Sequence, residues 1–186
     1  MPFIYLFGWL TVQPLRLIWS ELNSETLSLI GTFLTFIYFL LLLPSWIKLR
    51  WGKTTPWIYI GIKPLKKINI LSLLFKGFCL SLILISLVLF PLLCGSWIES
   101  FSSISRFSLI NAISLGLGVG IAEELIFRGW LLTEISKLLG PRLGIFIQAM
   151  IFSLAHIRFK LDAIDLIPLL LGLFLLGVVL ATRRII

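Results

Sequence analysis

A single histidine among 186 residues excludes every site that needs two imidazoles from this chain. Two cysteines, Cys79 and Cys94, exclude a disulfide framework and a Cys-based zinc centre. Both lie in one apolar stretch, too far apart along a helix to bond each other. Acid is scarce: eight Asp and Glu stand against sixteen Lys and Arg, a net charge of +8. The first residues lack a basic n-region and a small-residue cleavage site, which argues against a signal peptide. There is no repeat and no low-complexity tail.

What the chain has in excess is apolar sequence. It is 59% hydrophobic with a mean hydropathy of +1.10, whereas soluble domains are usually about 45–50% apolar. The composition implies an all-α, polytopic transmembrane helix bundle, a single membrane domain over residues 1–186 with no separate soluble domain. About five spans are expected, at residues 27–47, 71–94, 109–132, 143–157 and 164–182, with the third helix running on to Leu139. Gly140-Pro141 should stop that helix. Residues 3–19 carry Trp9, Pro14, Arg16 and Trp19 and read as an N-terminal interfacial or re-entrant helix.

The basic residues lie between the hydrophobic segments, so they read as topology signals and lipid contacts rather than a nucleic-acid surface. Residues 48–70 hold Lys48, Arg50, Lys53, Lys63, Lys66 and Lys67 and no acid, with Trp51, Trp57 and Tyr59 among them. They read as an interfacial belt on anionic lipid headgroups. The positive-inside rule puts this segment, the Lys137/Arg142 turn and Arg183-Arg184 on the cytoplasmic face. The setting is an inner or plasma membrane, or the stromal face of a thylakoid-type membrane.

Against this background Glu123, Glu124, Arg128 and His156 stand out. A charge at the bilayer centre costs at least about 2.5–3.5 kcal/mol, so such groups pair, line a wet cavity, or both. At about 100° per residue, Gly116, Gly120, Glu124 and Arg128 form one stripe, and a Gly-x-x-x-Gly step invites close approach of another helix. Glu124 and Arg128 are an i,i+4 pair with the acid first, the better orientation. Arg128 is badly placed to satisfy Glu123 as well, which leaves Glu123 as the candidate general base. Gln148, Phe152 and His156 recur at i, i+4 and i+8, and an aromatic ring one turn before the histidine can fix its plane. Counted from the turn at Gly140, Glu124 and His156 lie about 22 and 20 Å deep, at matching depth.

These residues resemble the CPBP intramembrane protease family, named for CAAX prenyl proteases and bacteriocin-processing enzymes and also called the Abi family. Its first motif, Glu-Glu-x-x-x-Arg, is matched by Glu123-Glu124-Leu-Ile-Phe-Arg128. Its second, Phe-x-x-x-His, is matched by Phe152-Ser-Leu-Ala-His156. Gly129, the gap of about 30 residues and the later helix with Gly172 and Gly177 also resemble the family, over roughly residues 110–182. The resemblance implies an intramembrane endopeptidase in which Glu123 activates water with His156, supported by Glu124, Arg128 and Phe152. It implies a membrane-protein or lipidated peptide substrate. No cofactor is expected; if a metal is used, zinc on Glu123, Glu124 and His156 is the set available.

The sequence departs from the family at one point. A third motif, a His followed four residues on by Asn or Asp, has no match, because no second histidine exists. Loss of one oxyanion donor costs roughly 100- to 1000-fold in rate. The alternative is therefore a catalytically impaired relative that binds or assembles membrane proteins, or confers bacteriocin immunity, within a membrane-protein complex. A proton relay would use the same buried charges but leaves the ordered pair of motifs unexplained.

Overall fold

Asn23 begins the longest helix by accepting a hydrogen bond from Thr26 N at 2.7 Å, and Gly52 ends it at φ +64°, in the left-handed region. This helix, α2 (Ser24–Trp51), is one of eight α-helices in the computed structural model, which describes residues 3–18, 23–62, 70–95, 105–159 and 161–185. The others are α1 (Phe3–Ile18), α3 (Pro56–Tyr59), α4 (Ile70–Cys94), α5 (Arg106–Glu123), α6 (Leu132–Leu139), α7 (Pro141–Leu154) and α8 (Ala163–Ile185). A π-helical segment, Glu124–Leu131, joins α5 to α6. No strand occurs among the described residues. Trp19, Lys63, Lys66, Lys67 and residues 96–104 of the Ser-rich loop lie outside the described residues.

Four stretches have the length and composition to cross a membrane: Thr26–Trp51, Ile70–Cys94, Ser108–Leu139 and Ala163–Ile185. They coincide with the first, second, third and fifth expected spans, and the third does run to Leu139. The expected span at 143–157 forms the shorter α7, whose 14 residues rise only about 21 Å, less than a hydrocarbon core of about 30 Å. The stop between α6 and α7 is where it was expected: Gly140 adopts φ +87° and Pro141 opens α7.

The chain divides into two units, residues 63–121 and residues 1–62 with 122–186. The first holds α4 and most of α5, whose described side chains are largely exposed. Among the described residues of this unit nothing lies within 4 Å of a Cβ built on Gly116 or Gly120.

In the second unit small residues do carry close contacts. A Cβ on Gly8 of α1 would overlap Thr35 Oγ1 and lie 2.8 Å from the Gly31 carbonyl of α2. A Cβ on Gly144 of α7 would overlap Ser136 Oγ and stand 3.0 Å from Ser136 Cα of α6. A Cβ on Gly177 of α8 would stand 3.1 Å from Ala149 Cα of α7. Without a side chain, helix backbones come close enough to gain dispersion contact that lipid cannot match. Ser153 Oγ adds a hydrogen bond to the Leu170 carbonyl at 2.6 Å, tying α7 to α8.

The apolar core of this unit is Ile4, Phe39, Leu43, Ile47 and Ile60, packed against Leu125, Ile126 and Trp130 of the π-helical segment. A polar clamp lies beside it. Arg50 Nε and, at 2.7 Å, Trp51 Nε1 both donate to the buried Glu134 of α6. Glu134→Ala strands both donors and costs about 1–3 kcal/mol. Glu134→Gln keeps an acceptor for Trp51 and costs less; unfolding in mixed detergent micelles measures both. The Tyr59 hydroxyl, by contrast, is buried with no hydrogen-bond partner among the described residues. Burial, and then the Glu134 carboxylate, push its pKa up, so at neutral pH it stays an uncharged group that contributes no bond. Tyr59→Phe should leave the melting temperature unchanged or raise it slightly.

Candidate active site

The i→i+5 bonding of the π-helical segment continues to Leu132, whose N–H donates to the Phe127 carbonyl. Such segments are rare and favour functional sites. A full turn takes more residues than in an α-helix, so position i+4 falls short of closing the turn. The Glu124–Arg128 pair shows the effect: Nε lies 3.9 Å from Oε2, an ion-pair distance rather than a hydrogen bond. Arg128 is only 2% exposed. Its guanidinium carbon sits 4.1 Å from the centroid of the Phe152 ring, a cation–π contact that offsets part of the cost of burial.

Glu124 is half exposed and has a second cation. Arg184 Nη1, from the last turn of α8, lies 3.5 Å from its Oε1. Arg184 Nη2 donates to the Ile60 carbonyl. The Glu124 carboxylate is thus shared between two guanidinium groups, one on each oxygen.

Glu123, the last residue of α5, has a different partner. Its Oε1 lies 3.2 Å from His156 Nε2; the depth count from Gly140 sets the neighbouring Glu124 level with His156. His156 is in the turn just beyond α7 rather than on the helix, its N–H bonded to the Ser153 carbonyl at 3.0 Å. Its ring is fixed from two sides. Nδ1 lies 2.7 Å from the Phe152 carbonyl, and the Phe152 ring is centred 4.7 Å away. Phe152 is itself held edge-on by Phe127 at 5.1 Å.

A carbonyl can only accept, so in the contact with Phe152 the ring Nδ1 is the donor, and Nε2 is left to face the Glu123 oxygen. Both side chains are about a third exposed, so the pair is within reach of water or a bound chain. Gln148, expected on the same face, is fully buried behind Phe152 on α7, and neither end of its amide has a partner among the described residues.

Of the three groups named for zinc, Glu124 turns its oxygens to Arg128 and Arg184, and Glu123 and His156 face each other. Among the described residues no group of three or more His, Cys, Asp or Glu is gathered as for a metal ion. Sequence reasoning missed Arg184, the Ile60 carbonyl and the Glu134 clamp. Arg184 read as a topology signal only, although an acid two turns or more along the same helix as the Glu pair was a signal for Glu134.

Residues 104–186 match the family described as type II CAAX prenyl endopeptidase Rce1-like. Residues 1–55 match a family described as a domain of unknown function, DUF8676. No curated protein and no solved structure matches the chain. Glu123, Glu124, Arg128, His156 and Arg184 all fall within the endopeptidase match, Arg50 and Trp51 within the other, and Ile60 in neither.

Proposed function

We propose, from the premise that this integral membrane protein carries a domain of the type II CAAX prenyl endopeptidase Rce1-like family over residues 104–186, that it cleaves peptide bonds within or beside the membrane by a glutamate-activated water. The observation that carries the reading is the Glu123–His156 contact of 3.2 Å, with the far side of the imidazole tied to Phe152. Water bound against this pair loses a proton to Glu123 as its oxygen attacks the scissile carbonyl carbon. The proton passes to the leaving nitrogen, the C–N bond breaks, and a carboxylic acid and an amine are released. His156 orients the water and keeps the Glu123 oxygen aimed at it.

The substrate class is a membrane protein or lipidated peptide. Lys48, Arg50 and Lys53, with the exposed Trp57, Ile58 and Ile62 around α3, make a basic and apolar surface suited to anionic headgroups. That surface faces the cytoplasm, or the stroma of a thylakoid-type membrane, in this reading. Cleavage of a lipidated or transmembrane peptide by the protein in vesicles, lost in Glu123→Gln, is the test.

A second reading is a relative that binds, assembles or protects membrane proteins without cutting them. It is favoured by Glu124, the second carboxylate of the motif, being taken up by two guanidinium groups. Under it, Glu123→Gln keeps wild-type behaviour and a stable partner co-purifies.

A further inference from the structure

Of the two adjacent carboxylates, Glu123 engages the imidazole and Glu124 is held by guanidinium groups. Arg128 alone is a weak restraint on Glu124 at 3.9 Å. The other oxygen of Glu124 is met by Arg184, which comes from 60 residues further along the chain. Arg184 is anchored in turn by the carbonyl of Ile60, a residue 1% exposed in the apolar core.

The anchor is built for a guanidinium. Gly61 adopts φ +90°, a conformation that side chains other than glycine's rarely take, and a Cβ there would overlap Arg184 Nη2. The turn around it is closed by backbone bonds from Ile60 N to the Pro56 carbonyl and from Gly61 N to the Ile58 carbonyl. One planar group therefore spans two partners, as arginine can and a lysine ammonium cannot do in the same geometry.

We infer that Arg184 is a positioning residue: pinned by the Ile60–Gly61 turn, it holds Glu124 aside and so reserves His156 for Glu123. The inference rests on the protease reading only where rate is the readout. A second readout is independent of it, because the chain's sole histidine gives one set of imidazole resonances in NMR of the protein in detergent micelles.

The experiment is a double-mutant cycle on the full chain. R184Q lowers kcat about 10- to 100-fold with KM little changed, and displaces the His156 imidazole resonances. R184K, which restores charge without the bridge, falls between R184Q and wild type. G61A, which expels the guanidinium while leaving Arg184 in the sequence, reproduces the R184Q resonances. In an E124Q background R184Q has no further effect on rate or resonances, because Arg184 acts through Glu124. Equal effects of R184Q with Glu124 present or absent, or unmoved resonances in both R184Q and G61A, overturn the inference. If the wild-type protein cleaves no membrane peptide the protease reading fails instead, and the resonances alone decide the role of Arg184.

Discussion

Glu123→Gln lowers kcat for peptide cleavage by about 10²- to 10⁴-fold, the range set by loss of a general base, without loss of folding. The amide is isosteric with the carboxylate and its NH2 can donate to His156 Nε2, across the gap that is 3.2 Å in the wild type. The contact survives, but the group that takes a proton from water does not. Cleavage of a membrane peptide in reconstituted vesicles gives the rate, and a thermal melt in detergent checks the fold. Because Glu123 is about a third exposed, removing its charge relieves no deep burial, so the melt should move little. Undiminished cleavage would overturn the assignment of Glu123 as base. A large drop in melting temperature would reassign it to structure.

Phe152→Ala should give the largest loss of stability, about 3–5 kcal/mol. The side chain is 2% exposed and has a different neighbour on each side. Phe127 meets it edge-on, Arg128 lies over its face, the His156 ring tilts against it, and Gly177 of α8 leaves room for it. In a bilayer the water-to-oil transfer gain is small, so the cost comes from the cavity and lost contacts. Arg128 adds to it, since its buried charge would lose the aromatic face. Phe152→Leu refills most of the volume and should lose less stability, yet it still removes the ring that steadies His156. Unfolding in mixed micelles ranks the two. A loss below about 1 kcal/mol for the alanine variant would show that the site collapses around the gap.

How much of this was legible depends on the range of each interaction. The Gly140-Pro141 stop and the long apolar helices are local, and their residues announce them. That the Glu pair and His156 could lie at one depth was readable, because a tight turn at Gly140 makes depth countable along two consecutive helices; that Glu123 is the partner came from the family motifs. Arg184 was not, because nothing in a terminal Arg-Arg pair says that one side chain folds back 60 residues to Glu124. Small residues at helix contacts were the right kind of signal. The pattern at Gly116 and Gly120 names no partner, whereas Gly8, Gly144 and Gly177 carry close packing that only the structure displays. Nor did the sequence disclose the π-helical turn, since the i→i+5 register is chosen by what the downstream residues must reach.

That register has an arithmetic consequence. The π-helical segment carries more residues than α-helical turns would need to connect Glu123 to Leu132. Deleting one residue within it could leave an unbroken helix, so the fold need not register the loss as a break. It would be felt inside the segment. An α-helical turn spends fewer residues than a π turn, so Glu123 would still face His156 and Glu134 would stay near Arg50 and Trp51. The residues between would change face, Arg128 among them, and its place over the Phe152 ring would be lost. The surplus residue thus sets where Arg128 points, and a one-residue deletion series across 125–131 would read it out.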